Sequence, residues 1–222
     1  MANYAVDPKL LLPFLPHKTE IDLWNGTCYV SLVGFMFQNV RVKGLKIPFH
    51  INFEEVNLRF YVRHFDGREW KRGVVFIKEI VPKPLLSFVA NTIYKEHYET
   101  MPMCHSWLAT EDSLVTEYQW KKKRRHSFKL ITEKETVNIA IGSEAEFITE
   151  HYWGYTKLGE QKTAEYGVEH PRWNVYPVKE YFIDVDFAAV YGNEFGFLAK
   201  ETPVSVFLAE GSEIVVKSGM NI

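Results

Sequence analysis

Two cysteines in 222 residues, Cys28 and Cys104, are too few to brace a chain of this size with a disulfide framework. They read as reduced thiols, and the expected location is the cytoplasm. No stretch approaches the roughly 20 apolar residues that a bilayer-crossing helix needs. The nearest, Leu10 to Leu15, is broken by Pro13 and lacks a small-residue cleavage site, so neither a membrane span nor an export signal is expected. Charge of one sign is missing too. With 26 Lys and Arg against 28 Asp and Glu the net charge is −2, which gives no global field to attract nucleic acid or an anionic membrane.

Recognisable catalytic spacings are equally scarce. The eight histidines form no His-x-His, His-x-x-x-His or HExxH pair, and the two cysteines lie far apart, so no metal site is expected. There is no GxSxG elbow for a serine nucleophile. Neither GxxxxGK[ST] nor GxGxxG is present, which argues against ATP-dependent and classical dinucleotide chemistry. No cofactor is expected.

What is abundant is aromatic character: 16 Phe, 12 Tyr and 6 Trp, 15% of the chain. Such side chains pack well on pleated faces and favour strands. No repeat, low-complexity segment or linker divides the sequence, so one domain over residues 1–222 is expected. Period-two alternation predicts strands at Thr27 to Phe37, Ile51 to His64 and Gly73 to Ile80, the last two joined by a hairpin at Asp66-Gly67. Further strands are predicted at Leu114 to Trp120, Phe128 to Thr132, Tyr152 to Leu158, Tyr181 to Phe187, Val204 to Leu208 and Ile214 to Lys217. The final two would be joined at Glu210-Gly211-Ser212.

Two helices interrupt this pattern. From Pro84, residues Leu85, Phe88, Val89, Thr92, Ile93 and His97 recur at three- and four-residue steps on one face, with an end expected before Pro102. A second helix opens at Ser143 with Glu146 three residues on, a capping box, and turns Phe147, Ile148 and His151 inward. The fold class is therefore α+β, mostly antiparallel.

The segment Phe53 to Arg63 is the most informative. One face carries Val56, Leu58, Phe60 and Val62; the other carries Glu55, Asn57, Arg59, Tyr61 and Arg63. Pattern alone fits an ordinary strand with its polar side in water. If the sheet closes or curls round a cavity, the same row points inward, a carboxylate beside a guanidinium, and marks a site. Arg59 would then clamp an anionic group through two N–H donors, and Glu55 would serve as a general acid or base. The run Lys121-Lys122-Lys123-Arg124-Arg125 reads as a solvated hairpin turn rather than a nucleic-acid site. Amine catalysis needs a lysine of depressed pKa. Lys95, the lysine nearest these candidates, lies opposite the apolar stripe of its helix and is expected in solvent.

Three stretches, FEEVNLRFYV (53–62), VANTIYKEHYETMPM (89–103) and the pair EFITEHYWGY (146–155) with VEHPRWNVYPV (168–178), resemble the YqjF-like family of uncharacterised bacterial proteins, a domain-of-unknown-function family. They look like its F-x-E-x-N-x-R-x-Y-V, A-R-x-x-Y-x-L-P-Y, F-L-T-E-R-Y and H-x-P-W-x-L-x-x-A segments, over roughly residues 10 to 210. That family is similar to acetoacetate decarboxylase, and the resemblance implies a cone-like barrel, or strongly curled sheets, enclosing a cavity. It implies the inward reading of Glu55, which falls where the decarboxylase has an active-site glutamate. The decarboxylase's lysine pair falls at Tyr98-Glu99, so the Schiff-base nucleophile and its activator are both missing. Asn91 replaces the family's usual arginine, and Glu96-His97-Tyr98 replaces Leu-Pro-Tyr.

The expectation is a protein that binds a small organic acid or carbonyl compound, as a monomer or homodimer. Glu55 and Arg59 would be catalytic, with Asn57, Tyr61, Tyr94 and Tyr98 contacting the ligand. Any reaction would be acid/base chemistry of lyase or hydrolase type without a Schiff base. The alternative is a non-enzymatic structural or interaction module, in which the Glu55-Asn57-Arg59 row is an internal network.

Overall fold

The computed structural model describes residues 1–41 and 51–222, with Ile93 and Tyr94 described by backbone only. The first half contains β1 (Ala2–Ala5), β2 (Glu20–Ile21), β3 (Tyr29–Phe37), β4 (Phe53–Phe65), β5 (Trp70–Val81), helix α1 (Pro84–Val89), β6 (Tyr98–Thr100) and β7 (Met103–Ala109). Next come β8 (Leu114–Lys122), β9 (Arg124–Thr132), β10 (Val137–Asn138), α2 (Glu144–Thr149), β11 (Trp153–Gly159) and β12 (Lys162–Glu169). The chain ends with β13 (Asn174–Tyr176), β14 (Val178–Asp184), α3 (Phe187–Tyr191), β15 (Ser205–Val206), β16 (Leu208–Ala209), β17 (Val215–Val216) and β18 (Met220–Asn221).

Among the described residues these strands make three sheets. The largest runs β15-β1-β3-β4-β5-β11-β12-β17, with β2 also on β4, β6 also on β5 and β18 also on β12. The others are β14-β9-β8-β7 and β10-β13-β16. Pairing is antiparallel except where β5 meets β6 and β11. The end strands β15 and β17 do not pair with each other, so the described strands form open sheets rather than the closed barrel expected from the resemblance. No helix among the described residues is long and apolar enough to cross a membrane.

Both faces of β4 are covered, and this decides what its alternation means. Val56, Leu58, Phe60 and Val62 join the larger core with Trp120 and Phe128 of the four-stranded sheet and Phe187 of α3. Against the opposite face lie Phe147 and Ile148 of α2, Val175 of β13 and Phe207, packed on Tyr29, Tyr61 and Val74. A half-solvated strand is thereby excluded: Glu55 is 1% exposed and Asn57 0%. Register then selects what shares the polar face. Leu58 pairs with Lys78 but Arg59 with Phe76, so Ile77 is the extra residue of a β-bulge. The bulge puts Glu79 and Arg72, which strict alternation would place on opposite faces, on the same face as Arg59.

Several local expectations are corrected. The helix from Pro84 passes at Val89 into one π turn, Ala90–Tyr94, and stops at Lys95, whose backbone is left-handed at φ 58°, well before Pro102. Its stripe of Leu85, Phe88 and Val89 is exposed, and Ser87 is the residue it buries. Periodicity identifies a face but not the side on which the protein lies. The basic run does form an exposed β8–β9 hairpin, turning at Lys123 (φ 59°), with Lys121, Lys123, Arg124 and Arg125 exposed. Lys122 is paired with Glu99 and Arg124 with Asp184, and His126 just beyond it is buried. Phe187 begins α3 instead of ending a strand. The segments flanking Glu210-Gly211-Ser212 do not pair with each other: β16 joins β13 and β17 joins β12.

The Ser143 cap forms as expected, with the return bond of the capping box moved one residue upstream, from Ser143 to Gly142. Ser143 Oγ accepts from the Glu146 amide at 3.2 Å, and the Glu146 carboxylate accepts from the Gly142 amide at 2.5 Å. This fixes the start of α2 over the polar face of β4.

Candidate functional site

Glu55 lies at the β6 end of the polar row. Asn57 Nδ2 donates to its Oε1 at 2.9 Å and the Tyr98 hydroxyl to its Oε2 at 3.3 Å. Tyr98 is delivered by Asn91, whose side-chain amide accepts from the Tyr98 N–H and donates to the Tyr98 carbonyl, both at 2.8 Å. The asparagine that departs from the family pattern thus acts as a two-point clamp on the tyrosine beside Glu55.

Two more carboxyls and a phenol join this end. Glu79 stands opposite Asn57, is 3% exposed, and its Oε2 has no hydrogen-bond partner among the described residues. Glu96, in the loop after Lys95, accepts from Thr156 Oγ1 at 2.6 Å. Tyr166 of β12 crosses Gly154 of β11 so closely that a Cβ there would lie 2.1 Å from its Cζ. Burial pushes Glu55 up to about 7, against the hydrogen bonds from Asn57 and Tyr98 and the charge of Arg59. Burial raises Glu79 well above the usual carboxylate range, reinforced by Glu55 and Glu96, and raises Glu96 as well. The Tyr98 and Tyr166 phenols are pushed up by desolvation and by the same carboxyls. A carboxyl near 7 is suited to give and take a proton at neutral pH.

Arg59 occupies the middle of the row and is only partly exposed. The expected contact with Glu55 is not made: among the described residues no hydrogen bond or ion pair joins the two, and the Glu55 oxygens accept from Asn57 and Tyr98. Arg59 Nε is buried with no hydrogen-bond partner among the described residues, and the guanidinium carbon stands 5.7 Å from the centre of the Tyr61 ring. The Tyr61 hydroxyl meets Ser31 Oγ at 2.7 Å; Ser31 donates to Asn3 Oδ1 at 2.6 Å, and Asn3 Nδ2 to Ser205 Oγ at 2.9 Å. Since the Ser31 proton goes to Asn3, Tyr61 supplies its own to Ser31, and its ring, not its O–H, faces the row.

The far end holds a second polar group. Asp22 Oδ2 accepts from Arg72 Nε at 2.6 Å and from His151 Nε2 at 3.2 Å. Burial alone would raise Asp22, but these two hydrogen bonds outweigh it and hold the carboxyl below its usual range. Burial lowers His151 to about 4, so the ring is neutral at pH 7.

A cleft of about 120 Å³ opens on the free edge of β5 between β6 and β11, lined by Val75, Phe76, Glu96, His97 and Thr156 among others. Through Glu96 it borders the buried carboxyls. The side chain of Tyr94 lies outside the described residues. Lys95 is exposed, while Lys78 and Lys122 are both bound to Glu99. Sequence reasoning brought Glu55, Asn57, Arg59, Tyr61 and Tyr98 together but missed Glu79, Glu96, Tyr166, Asp22 and Arg72. One signal was available: glycine inside a strand pattern, as at Gly154, marks a close approach.

The family model for DUF2071, described as an uncharacterized conserved protein, matches residues 1–213. The uncharacterized protein YqjF of Bacillus subtilis (strain 168) is 32% identical over 98 residues, 44% of this chain and 39% of that protein, so the match spans about two fifths of its length. Among solved structures, the enduracididine biosynthesis enzyme MppR complexed with pyruvate superposes with a TM-score of 0.62 at 14% identity, covering 98% of this chain and 80% of that one. MppR has also been solved with the condensation product of pyruvate and imidazole 4-carboxaldehyde (TM-score 0.62, 14% identity, 98% and 79% covered). Acetoacetate decarboxylase from Legionella pneumophila gives 0.61 at 12% identity, over 100% of this chain and 82% of its own. At such identities the likeness is one of fold. With the family model matched along nearly its whole length, the chain belongs to the DUF2071 family and carries a mostly-sheet α+β fold similar to acetoacetate-decarboxylase-like enzymes.

Proposed function

We propose that the polar face of β4 binds a small organic acid or carbonyl compound, with Arg59 as the anchor for its anionic group. The observation that carries this reading is the buried Nε of Arg59, left without a partner. An unsatisfied buried donor costs about 1–3 kcal/mol, more when charged. A ligand carboxylate, meeting the guanidinium through two parallel bonds, removes that cost. Pyruvate bound to MppR, a neighbour in fold, supports the same ligand class. Glu55 is then the general acid or base, Asn57 and Tyr98 set its orientation, and the Tyr61 ring forms a wall, as Tyr94 would. With no lysine among the described residues offered to the row, the chemistry is proton transfer beside a carbonyl, of lyase or hydrolase type, rather than imine formation.

The structural-network alternative requires Arg59 to be held by Glu55 and by backbone carbonyls. Against it stands the absence, among the described residues, of any hydrogen bond or ion pair between Arg59 and Glu55, with Arg59 Nε unpartnered. A thermal-shift panel of keto acids, hydroxy acids and aromatic carboxylates on the wild type and Arg59→Ala tests the proposal. A ligand at a hundred times its Kd adds about 2.7 kcal/mol, roughly 5–10 °C for a chain this long. A shift that disappears in the variant supports it. No shift from any acid, with Arg59→Ala itself strongly destabilised, assigns the row to structure.

A further inference from the structure

Arg59 Nε is not alone in lacking a partner on this face. Nδ1 of His151 is buried and equally without one among the described residues. Its other nitrogen is committed: Nε2 faces Asp22 Oδ2, and an ionised carboxylate only accepts, so Nε2 carries the hydrogen. Arg72 holds the same Asp22 oxygen at 2.6 Å and fixes that carboxylate in place. In the neutral ring Nδ1 is therefore a bare lone-pair acceptor. Pairing with Asp22 explains why a histidine stands here but uses one nitrogen only, and the surroundings of the ring offer the other nothing. Tyr61 lies against it at 4.8 Å between ring centres and Phe147 at 5.0 Å, edge to face.

The two orphans meet at one side chain. The Tyr61 ring that His151 packs against is the ring 5.7 Å from the Arg59 guanidinium, and the charge of Arg59 acts on His151. One is a donor and the other an acceptor. We infer that His151 is the second anchor of the same site, and that the ligand is an acid which also carries an O–H or N–H donor, its anion on Arg59 and its donor on His151 Nδ1. This rests on Arg59 as the anion anchor and narrows the ligand class from acids in general to hydroxy or amino-bearing acids. A site built to hydrogen-bond a ligand hydroxyl discriminates strongly against the analogue without it, because its own polar atom is then left unpaired.

The test is calorimetric titration of the full chain with matched pairs that carry the hydroxyl at increasing distance from the carboxylate: lactate against propionate, 3-hydroxybutyrate against butyrate, and 4-hydroxyphenylacetate against phenylacetate. At least one hydroxylated member is expected to bind tenfold or more tightly than its partner. His151→Phe should abolish the preference, and His151→Gln, whose amide oxygen can accept, should keep most of it. A readout on the wild type guards against a variant that does not fold: the ¹⁵N resonance of His151 Nδ1 should move with the hydroxy acid and stay fixed with its deoxy partner. Acids that bind without any preference, or with one that survives His151→Phe, overturn the role of His151 and leave Arg59 standing. A buried water on His151 Nδ1 alone would give that result. If no acid binds at all, Arg59 and His151 fall together.

Discussion

Glu55 and Asp22 are both buried carboxyls beside the same face of one sheet, yet their environments shift their pKa values in opposite directions. Glu55 shares its end with Glu79 and Glu96, two more acids, and meets only neutral donors, so burial lifts it to about 7. Asp22 has Arg72 at 2.6 Å and an imidazole N–H, and these keep it below its ordinary value although burial alone would raise it. Burial sets the cost of a charge, while the partner decides whether that cost is met by pairing or by taking up a proton. Between the two ends stands Arg59, with a free donor.

Stability against pH should separate the ends most sharply. Folding raises the pKa of Glu55, so its favourable contribution is complete below about pH 4.5 and is lost as the pH rises towards 7. Folding lowers that of His151, so its contribution is complete above about pH 6.5 and is lost as the pH falls towards 4. Each swing is worth about 3 kcal/mol. Measured by urea unfolding, Glu55→Gln should gain on the wild type as pH rises from 4.5 to 7, and His151→Gln should gain as it falls from 6.5 to 4. Variants with parallel pH profiles would erase the contrast.

Two glycines of β11 sharpen the picture of the acid end. Gly154→Ala drives a methyl into the Tyr166 ring and should cost about 2 kcal/mol, whereas Gly159→Ala, with nothing within 4 Å, should be close to neutral. Equal losses on thermal unfolding would mean that Tyr166 does not lie over Gly154. The smallest effect belongs to the other end. Ser143→Ala removes the cap of the helix that carries Phe147 over Tyr61, for a loss of about 1 kcal/mol in the same assay.

Much of β4 was legible in the sequence because its alternation is unbroken for nine residues, Glu55 to Arg63, and the Ser143 cap because a capping box is a local device. The resemblance supplied the inward direction of Glu55, which alternation left open. What could not be read was whatever depends on register. The bulge at Ile77 shifts β5 by one residue and so hides that Glu79 and Arg72 share a face. Asp22 and His151 are 129 positions apart and meet only once α2 closes over Tyr61. The exposed stripe of α1 was misleading for the same reason, since periodicity within an element carries no information about what lies beyond it.

The most direct test of the Arg59 anchor is calorimetric titration of pyruvate into the wild type and Arg59→Gln, with circular dichroism confirming that both are folded. Loss of a charge-assisted contact should weaken binding at least tenfold in the variant. Equal affinity for the two proteins, or no heat of binding to the wild type from pyruvate or from the hydroxy acids lactate and 3-hydroxybutyrate, would contradict an anion site at Arg59.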